Sequence, residues 1–495
     1  MKIPTIYQKD LKITKELLSQ WYEAKSPVLI DAPPESGKTY NMRKVNEFAR
    51  KHGLKILATA PRKEAVENIK KECTNCKCIR AKTLQALQSM EPEDMIDYIN
   101  MHQILILDEI HCMVSDNFMN DNDVFMRTIM EEYKGLIIGM TGTNYFKLEK
   151  MFTRDYGKLW NLLKVEENFG FLQDNTVTFF MSNETAQYII RKAVADGEKV
   201  FVGCDYIGQL EEYRQGHEKN SFTIVSEGNR KKKGLCTKKE KEHLLATGLY
   251  PQGKDILFCT RAYELGTNIK PAVRTDVGID VRTDVTTILI DSDDLTSIMQ
   301  FCRRVRTKSK GKHVKQVKIY VRAYNAAELN AKREEVEQML EVSKLFQEDE
   351  ASFREKYKRK VKDPSGILYP APSQNGGYEL RVDTLKQAYW KKRQEVFLEP
   401  DMRYWVHMVC SIFGDCAFKV LSKPQLVDFM EQHEGQMLTK EQQRELKKIS
   451  GQKTIEGINE ACKREGINLR IEIVRENIYV NGKRTQPRKW MVVRI

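Results

Sequence analysis

Apolar residues in this chain gather into short, nearly unbroken runs, separated by longer polar stretches of helical character. Val28-Leu29-Ile30, Ile56-Leu57-Ala58, Ile104-Leu105-Ile106-Leu107 and Leu136-Ile137-Ile138 are the runs of the first third. A strand covered on both faces reads this way, and parallel sheets sandwiched between helices are built of such strands. Their alternation with helical stretches over residues 1–165 therefore predicts a parallel α/β sheet. A second cycle starts at Thr176-Val177-Thr178-Phe179-Phe180, passes through Lys199-Val200-Phe201-Val202 and Thr287-Ile288-Leu289-Ile290, and closes on the alternating Val317-Lys318-Ile319-Tyr320-Val321. Residues 166–323 are expected to form a second α/β unit.

Beyond residue 323 the rhythm changes. Residues 324–377 begin rich in Glu, Lys, Arg and Ala with sparse leucines, as in a helical arm. They then pass through the turn-forming Asp363-Pro364-Ser365-Gly366 and the stretch from Pro370 to Gly377. Residues 378–495 are expected to be a separate accessory domain. Helices are signalled at Leu421-Ser422-Lys423-Pro424, at the threonine cap of Leu438-Thr439-Lys440-Glu441, and over Thr454 to Arg464. Strand-like segments at Leu469 to Val474, Ile478 to Val480 and Trp490 to Val493 follow, with an Asn481-Gly482 turn. Three helices and a hairpin suggest a winged helix; a small helical domain with a basic surface hairpin fits the same pattern.

The first apolar run leads into Ala32-Pro33-Pro34-Glu35-Ser36-Gly37-Lys38-Thr39, the A-x-x-x-x-G-K-T spacing of a phosphate-cradling P-loop, with Ala32 in place of the usual first glycine. Backbone N–H groups of such a loop hold phosphate oxygens, Lys38 reaches the β- and γ-phosphates, and the Thr39 hydroxyl ligates Mg²⁺. The run at 104–107 ends in Asp108-Glu109-Ile110-His111. Two carboxylates at the C-terminal edge of a strand suit complementary tasks: Asp108 helps hold Mg²⁺, and Glu109 orients and deprotonates a water that attacks the γ-phosphate.

Asp-Glu-Ile-His is the DExH form of the Walker B motif, and from here the chain resembles the superfamily 2 helicases and nucleic-acid translocases over roughly residues 5 to 323. Ile56 to Arg62 looks like motif Ia, placing Pro61 and Arg62 toward a nucleic-acid backbone, and Lys82-Thr83-Leu84 stands at motif Ib. Leu136 to Thr143 looks like motif III, with Gly142 where alanine is usual, and Thr141, Thr143 and His111 would couple hydrolysis to movement. Ile256 to Thr260, followed by Gly266, Asn268 and Ile269, resembles motif V. Gln300-Phe301-Cys302-Arg303-Arg304-Val305-Arg306 resembles motif VI in the form also seen in viral origin-binding-type helicases. Arg303 stands where that pattern has glycine. By register Arg304, with Arg306 second, is the arginine that neutralises the transferring phosphoryl group. Gln8 stands near the adenine-reading glutamine of many relatives, and a plain surface glutamine fits equally. The resemblance implies two tandem RecA-like lobes with ATP in the cleft between them, closing on nucleotide and reopening on hydrolysis.

Composition narrows the setting. The 495 residues carry a net charge of +13, which favours a polyanionic partner. Nine Lys or Arg and no acid fall between Arg303 and Arg322, and Lys231-Lys232-Lys233 with Lys238-Lys239 mark a second basic stretch; both read as solvated loops or as phosphate contacts. In the tail, Lys483, Arg484, Arg488, Lys489 and Trp490 combine phosphate-seeking charge with a stacking surface. Eleven scattered cysteines and no recognisable signal peptide suggest reduced thiols in the cytoplasm. No window reaches the roughly 20 apolar residues of a membrane span, so no membrane partner is expected. Cys73, Cys76 and Cys78 are spaced closely enough for metal, with Cys112 or His111 as further ligands, or are simply reduced cysteines in a turn. Together these features point to a DExH-box ATPase using ATP and Mg²⁺ to move on or unwind nucleic acid, DNA in preference to RNA, with replication or recombination proteins as partners. An RNA helicase, or an ATP-controlled nucleic-acid-binding switch without strand separation, is the alternative.

Overall fold

The computed structural model describes residues 3–33, 36–73, 78–115, 122–166, 172–225, 238–261, 269, 285–305, 308–309, 312–313, 317–356, 367–372, 378–465, 467–475, 478–480, 483–485 and 488–495. Strands β1 (Thr5–Gln8), β2 (Val28–Asp31), β3 (Ile56–Ala60), β4 (Ile79–Thr83), β5 (Ile104–Asp108), β6 (Leu136–Thr141) and β7 (Asn161–Val165) make one seven-stranded sheet. Its order is β1-β7-β2-β6-β5-β3-β4, every neighbour parallel. The apolar runs are its central strands; β2, β3 and β6 are buried at every position, because helices cover both faces.

The second sheet draws on β8 (Leu172–Phe180), β9 (Lys199–Cys204), β10 (Ser221–Ile224), β11 (Ile256–Thr260) and β12 (Val285–Asp291). After a short antiparallel hairpin of β13 (Lys308–Ser309) and β14 (Lys312–His313), strand β15 (Val317–Arg322) returns to it. Helices Ala326–Glu348 and Glu350–Lys356 follow, and β16 (Leu368–Pro372) pairs with β17 (Tyr378–Val382) as a second hairpin. The second sheet is completed far downstream by β18 (Ala417–Leu421), giving the all-parallel order β10-β11-β9-β12-β15-β8-β18. Two such sheets with helices on their faces are the layout of tandem RecA-like lobes.

Strand β18 corrects the expected boundary at residue 378. Helices Thr384–Val396 and Met402–Ser411, which lead to it, bury Leu385, Tyr389, Trp390, Trp405 and Val409 in the apolar cluster that also holds Leu105 of the first lobe and Phe201 of the second. Residues 378–421 therefore belong structurally with the lobes. The sequence pattern could not reveal this: β18 is an edge strand, exposed at Ala417, Phe418 and Lys419, so it lacks the buried apolar run that marks the central strands. Only after Leu421 does a self-contained unit begin, with its own core around Leu426, Phe429, Leu446, Ile458 and Val492. It runs helix Pro424–Gln432, β19 (Met437–Leu438), helix Lys440–Ser450, helix Ile455–Arg464, β20 (Leu469–Arg475), a hairpin of β21 (Ile478–Val480) and β22 (Lys483–Thr485), and β23 (Arg488–Arg494). Strands β19, β23 and β20 form an antiparallel sheet, the element order of a winged helix. Thr439 caps the second helix, as its position in the sequence predicts, and Thr454 caps the third. Among the described residues no helix is long and apolar enough to cross a membrane.

Candidate functional site

The C-terminal ends of β2, β5 and β6 lie side by side, and from the opposite lobe helix Leu295–Cys302 meets them. After Asp31 the chain turns through Ala32, whose N–H donates to Thr141 O at 3.0 Å, and helix Lys38–Lys51 opens behind Gly37. Gly37 has φ +87°, a left-handed conformation that a Cβ would strain. Lys38 Nζ donates to Ala32 O at 2.7 Å, lying across the loop. Burial lowers the Lys38 pKa against the opposing pull of Glu109 and Asp108. Pro34, Glu35 and the side chain of Thr39 lie outside the described residues. Asn41, which the sequence reading overlooked, ties the P-loop helix to the preceding segment. It accepts from Ile13 N–H at 3.0 Å and donates to Leu11 O at 3.2 Å and Gly37 O at 3.0 Å.

Asp108 ends β5, and burial followed by the charge of Glu109 pushes its pKa up to about 7, with Lys38 opposing. Glu109 has φ +51°, an unusual left-handed backbone for glutamate that costs on the order of 1–2 kcal/mol. That turn carries its carboxylate into the cleft. Burial works to raise the Glu109 pKa, but Lys38 above all, with Arg304 and the Gly142 N–H, outweighs it and brings the value below the usual carboxylate range. Glu109 Oε2 is buried without a hydrogen-bond partner and lies 3.5 Å from His111 Nδ1.

Side chains of the second lobe complete the arrangement. Gln300 Nε2 lies 3.2 Å from Thr143 Oγ1 and 3.3 Å from His111 Nε2, and Gln300 Oε1 accepts from Arg304 Nη2 at 2.9 Å. His111 Nδ1 in turn lies 3.1 Å from Thr141 Oγ1, which donates to Thr143 O at 2.8 Å. A neutral His111 with its proton on Nδ1 satisfies every one of these bonds, in keeping with the burial that lowers its pKa. Arg303 Nη1 donates to Gly142 O at 2.7 Å. Arg303 thus makes a bond across the cleft, to a backbone carbonyl 161 positions away, which its place in the sequence gave no reason to expect. Arg304 Nε, like Glu109 Oε2, is buried and unpartnered.

Helix Leu295–Cys302 holds these groups in place, with all eight of its residues buried. Asp294 caps it, accepting from Thr296 N–H at 2.8 Å, while Asp294 Oδ2 takes Tyr389 O–H at 3.2 Å and faces Arg261 Nη2 at 3.4 Å. Arg393 Nη2 donates to the neighbouring Asp293 at 2.8 Å, and Thr384 Oγ1 on the same helix donates to Asp123 Oδ1 of the first lobe at 2.8 Å. Tyr389, Arg393 and Thr384 had no signal in the sequence, because their partners lie roughly 100 to 260 positions away.

The other expected residues are more dispersed. Gln8 turns back on its own loop, donating to Lys12 O at 3.0 Å and accepting from Lys12 N–H at 2.8 Å. Pro61 is buried and Arg62 precedes helix Lys63–Glu72; Thr83 caps helix Leu84–Gln88, accepting from Ala86 N–H at 3.2 Å. Thr260 is buried at the end of β11. Arg488 is exposed and Lys489 and Trp490 are half-buried on β23. Gly266, Asn268, Arg306, Cys76 and the side chains of Lys483 and Arg484 lie outside the described residues. Cys73 is buried and Cys78 half-buried, and among the described residues no group of His, Cys, Asp and Glu is placed to hold a metal.

Residues 16–123, about a fifth of the chain, match the family model of an AAA domain. No curated protein matches the chain in sequence. Among solved structures, the helicase MrfA bound to DNA and AMPPNP is 13% identical with a TM-score of 0.42, covering 62% of this chain and 47% of its own. The chain therefore spans about half of MrfA. The DEAD-box helicase Mss116 bound to ssRNA and UDP-BeF gives 10% identity and a TM-score of 0.44, over 74% of this chain and 87% of that one. The Escherichia coli DEAH/RHA helicase HrpB gives 12% and 0.39, over 62% and 42%. Overlays this loose assign no role to any residue.

Proposed function

We propose that this chain is an ATP-dependent helicase or translocase of the DExH type, acting on DNA in preference to RNA. The observation that carries the reading is that two polar atoms from opposite lobes, Glu109 Oε2 and Arg304 Nε, are both buried without a hydrogen-bond partner, while the charges of Lys38 and Arg304 act on Glu109. A site that leaves such atoms unsatisfied is built to meet a polar substrate.

In this reading Lys38 exchanges its bond to Ala32 O for the β- and γ-phosphates of ATP. Glu109, ionised and aimed by its left-handed backbone, accepts the proton of the attacking water. Arg304, with Arg306 second, neutralises charge developing on the γ-phosphoryl oxygens. Asp108 and the Thr39 hydroxyl would hold Mg²⁺; oxygen donors suit that hard cation, and a carboxylate whose pKa is pushed to about 7 by burial and by Glu109 gains from a cation beside it. Bound there, Mg²⁺ would offset charge on the bridging phosphate oxygens. Loss of the γ-phosphate loosens Arg304, and Gln300 passes that change to His111 and Thr143, so the cleft opens by breaking a few bonds of ordinary strength.

Steady-state ATP hydrolysis, alone and with single-stranded DNA, duplex DNA or single-stranded RNA, tests the reading with Lys38→Ala as control. Stimulation by DNA that disappears in the control is expected. Hydrolysis indifferent to every polymer overturns the motor, and stimulation by RNA alone overturns the DNA preference.

A further inference from the structure

The winged-helix-like unit has three helices, and their charges are disposed differently. The first, Pro424–Gln432, faces the second lobe: Tyr188 O–H donates to Asp428 at 2.9 Å and Lys192 pairs with Glu431. The third, Ile455–Arg464, is the one that a winged helix would ordinarily lay in a DNA groove. Its exposed residues include Glu456 and Glu460 beside Lys463, and Asn459 is used up on the backbone of Ile471 at 3.0 and 2.7 Å. Two carboxylates on that surface would repel phosphate.

The middle helix, Lys440–Ser450, is the opposite. Lys440, Arg444, Lys447 and Lys448 are exposed at i, i+4, i+7 and i+8, so they share one side of the helix, bordered along one edge by the exposed Glu441 and Glu445, which leaves four cations to two carboxylates. None of the four cations forms an ion pair among the described residues, whereas Arg494 pairs with Glu434 at 2.8 Å and Arg470 with Glu472 elsewhere on the unit. From Lys440 to Lys448 the helix rises by about 12 Å, the rise of three or four stacked nucleotides at about 3.4 Å each.

Beside this stripe lies an aromatic face. Lys447 Nζ sits 5.3 Å from the centroid of Trp490, and Trp490 is cross-strand neighbour to Ile473, which is 48% exposed. Unpaired cations next to a partly open indole and an exposed isoleucine join phosphate attraction to a stacking surface, the combination that single strands require. A duplex hides its base faces and would leave the indole without a role.

We propose that helix Lys440–Ser450 together with Trp490, rather than the third helix, is the face on which this unit grips single-stranded DNA, phosphates on Lys440, Arg444, Lys447 and Lys448 and a base against Trp490. The proposal rests on the nucleic-acid reading above and names the surface used.

The test is fluorescence anisotropy of full-length protein with labelled oligothymidylate over a salt series, without nucleotide. Arg444→Ala/Lys447→Ala/Lys448→Ala should weaken binding about tenfold or more and lower the log–log salt slope by about 2, from three phosphate contacts at roughly 0.7 each. Glu456→Ala/Lys463→Ala should bind as wild type. Trp490→Leu should lose the preference for oligothymidylate over an abasic strand of equal length, and Trp490→Phe should keep much of it, which separates stacking from a folding defect. Wild-type affinity and slope in the triple variant overturn the proposal, as does weakening confined to the third-helix pair. Preference for duplex with Trp490→Leu indifferent overturns it in favour of groove binding. Uridylate bound more tightly than thymidylate overturns the DNA assignment. If the triple variant loses DNA but the wild type never hydrolyses ATP, the motor reading fails and the surface stands; DNA-stimulated hydrolysis with unaltered binding in the triple variant gives the reverse.

Discussion

Gly203→Ala should slow ATP turnover far more than it weakens ATP binding. Gly203 lies on β9 under helix Leu295–Cys302, and a Cβ there would stand 2.6 Å from Cγ and Cδ1 of Phe301 and 2.9 Å from Cδ2. Ordinary carbon contacts are about 3.5–4.0 Å, so the ring must retreat by about 1 Å. It has no empty space to enter: Phe301 is fully buried, and Phe201 lies 6.1 Å away, centroid to centroid. Overpacking of this kind costs about 1–3 kcal/mol, or roughly 2–4 °C of Tm per kcal/mol for a lobe of about 150 residues. The ring takes its helix with it, and Gln300, Arg303 and Arg304 shift against the first lobe by a similar distance. A displacement of about 1 Å in groups that stabilise the transition state is expected to lower kcat by about 10²-fold. The P-loop is untouched, so nucleotide affinity should stay within a few-fold. Turnover, a fluorescent ATP analogue and a melting curve on the same preparation check each part. A clear fall in Tm with undiminished kcat would refute the assignment of Arg304 to the reacting end of the nucleotide. No change in either would refute the tight seating of the helix.

Glu109→Gln should retain ATP binding while losing about 10²- to 10⁴-fold in turnover, measured by single-turnover hydrolysis; normal turnover would remove Glu109 as the base. Asp383 caps helix Thr384–Val396, and burial, beside the charge of Asp123, pushes its pKa up to about 6. An acid raised in the folded state imposes no penalty below about pH 4, and its cost grows until it is complete above about pH 6. Asp383→Asn, which keeps the cap, should therefore raise stability by about 2–3 kcal/mol at pH 8 and by little at pH 4, read from urea unfolding at both pH values. Truncation after Ser422 should leave basal hydrolysis intact and weaken nucleic-acid binding. Truncation after Gly377 should leave no folded second lobe, because it removes β18 and the buried Tyr389 and Trp405; circular dichroism and gel filtration distinguish the two.

Local physics made much of this molecule legible from its residues. Unbroken apolar runs of four or five residues bounded by turns suit buried strands, so the central strands of both sheets could be placed along the chain from sequence. Gly37 and Lys38 announce a phosphate loop, because only certain residue types allow that turn, and Thr439 announces a helix start, because a hydroxyl there meets a free N–H. What the sequence determined by itself was therefore everything set by neighbours within a few positions: strands, caps, the loop, and the identity of the carboxylates. Contacts between distant segments were decided only by the tertiary structure. The bond of Arg303 to Gly142 spans 161 positions and that of Arg393 to Asp293 spans 100, and β18 joins a sheet whose other strands end almost a hundred residues earlier. The left-handed turn of Glu109, the burial that raises Asp108, and the choice of basic helix in the C-terminal unit all depend on which surfaces the fold covers. Period and composition record how a segment is buried, but not by what.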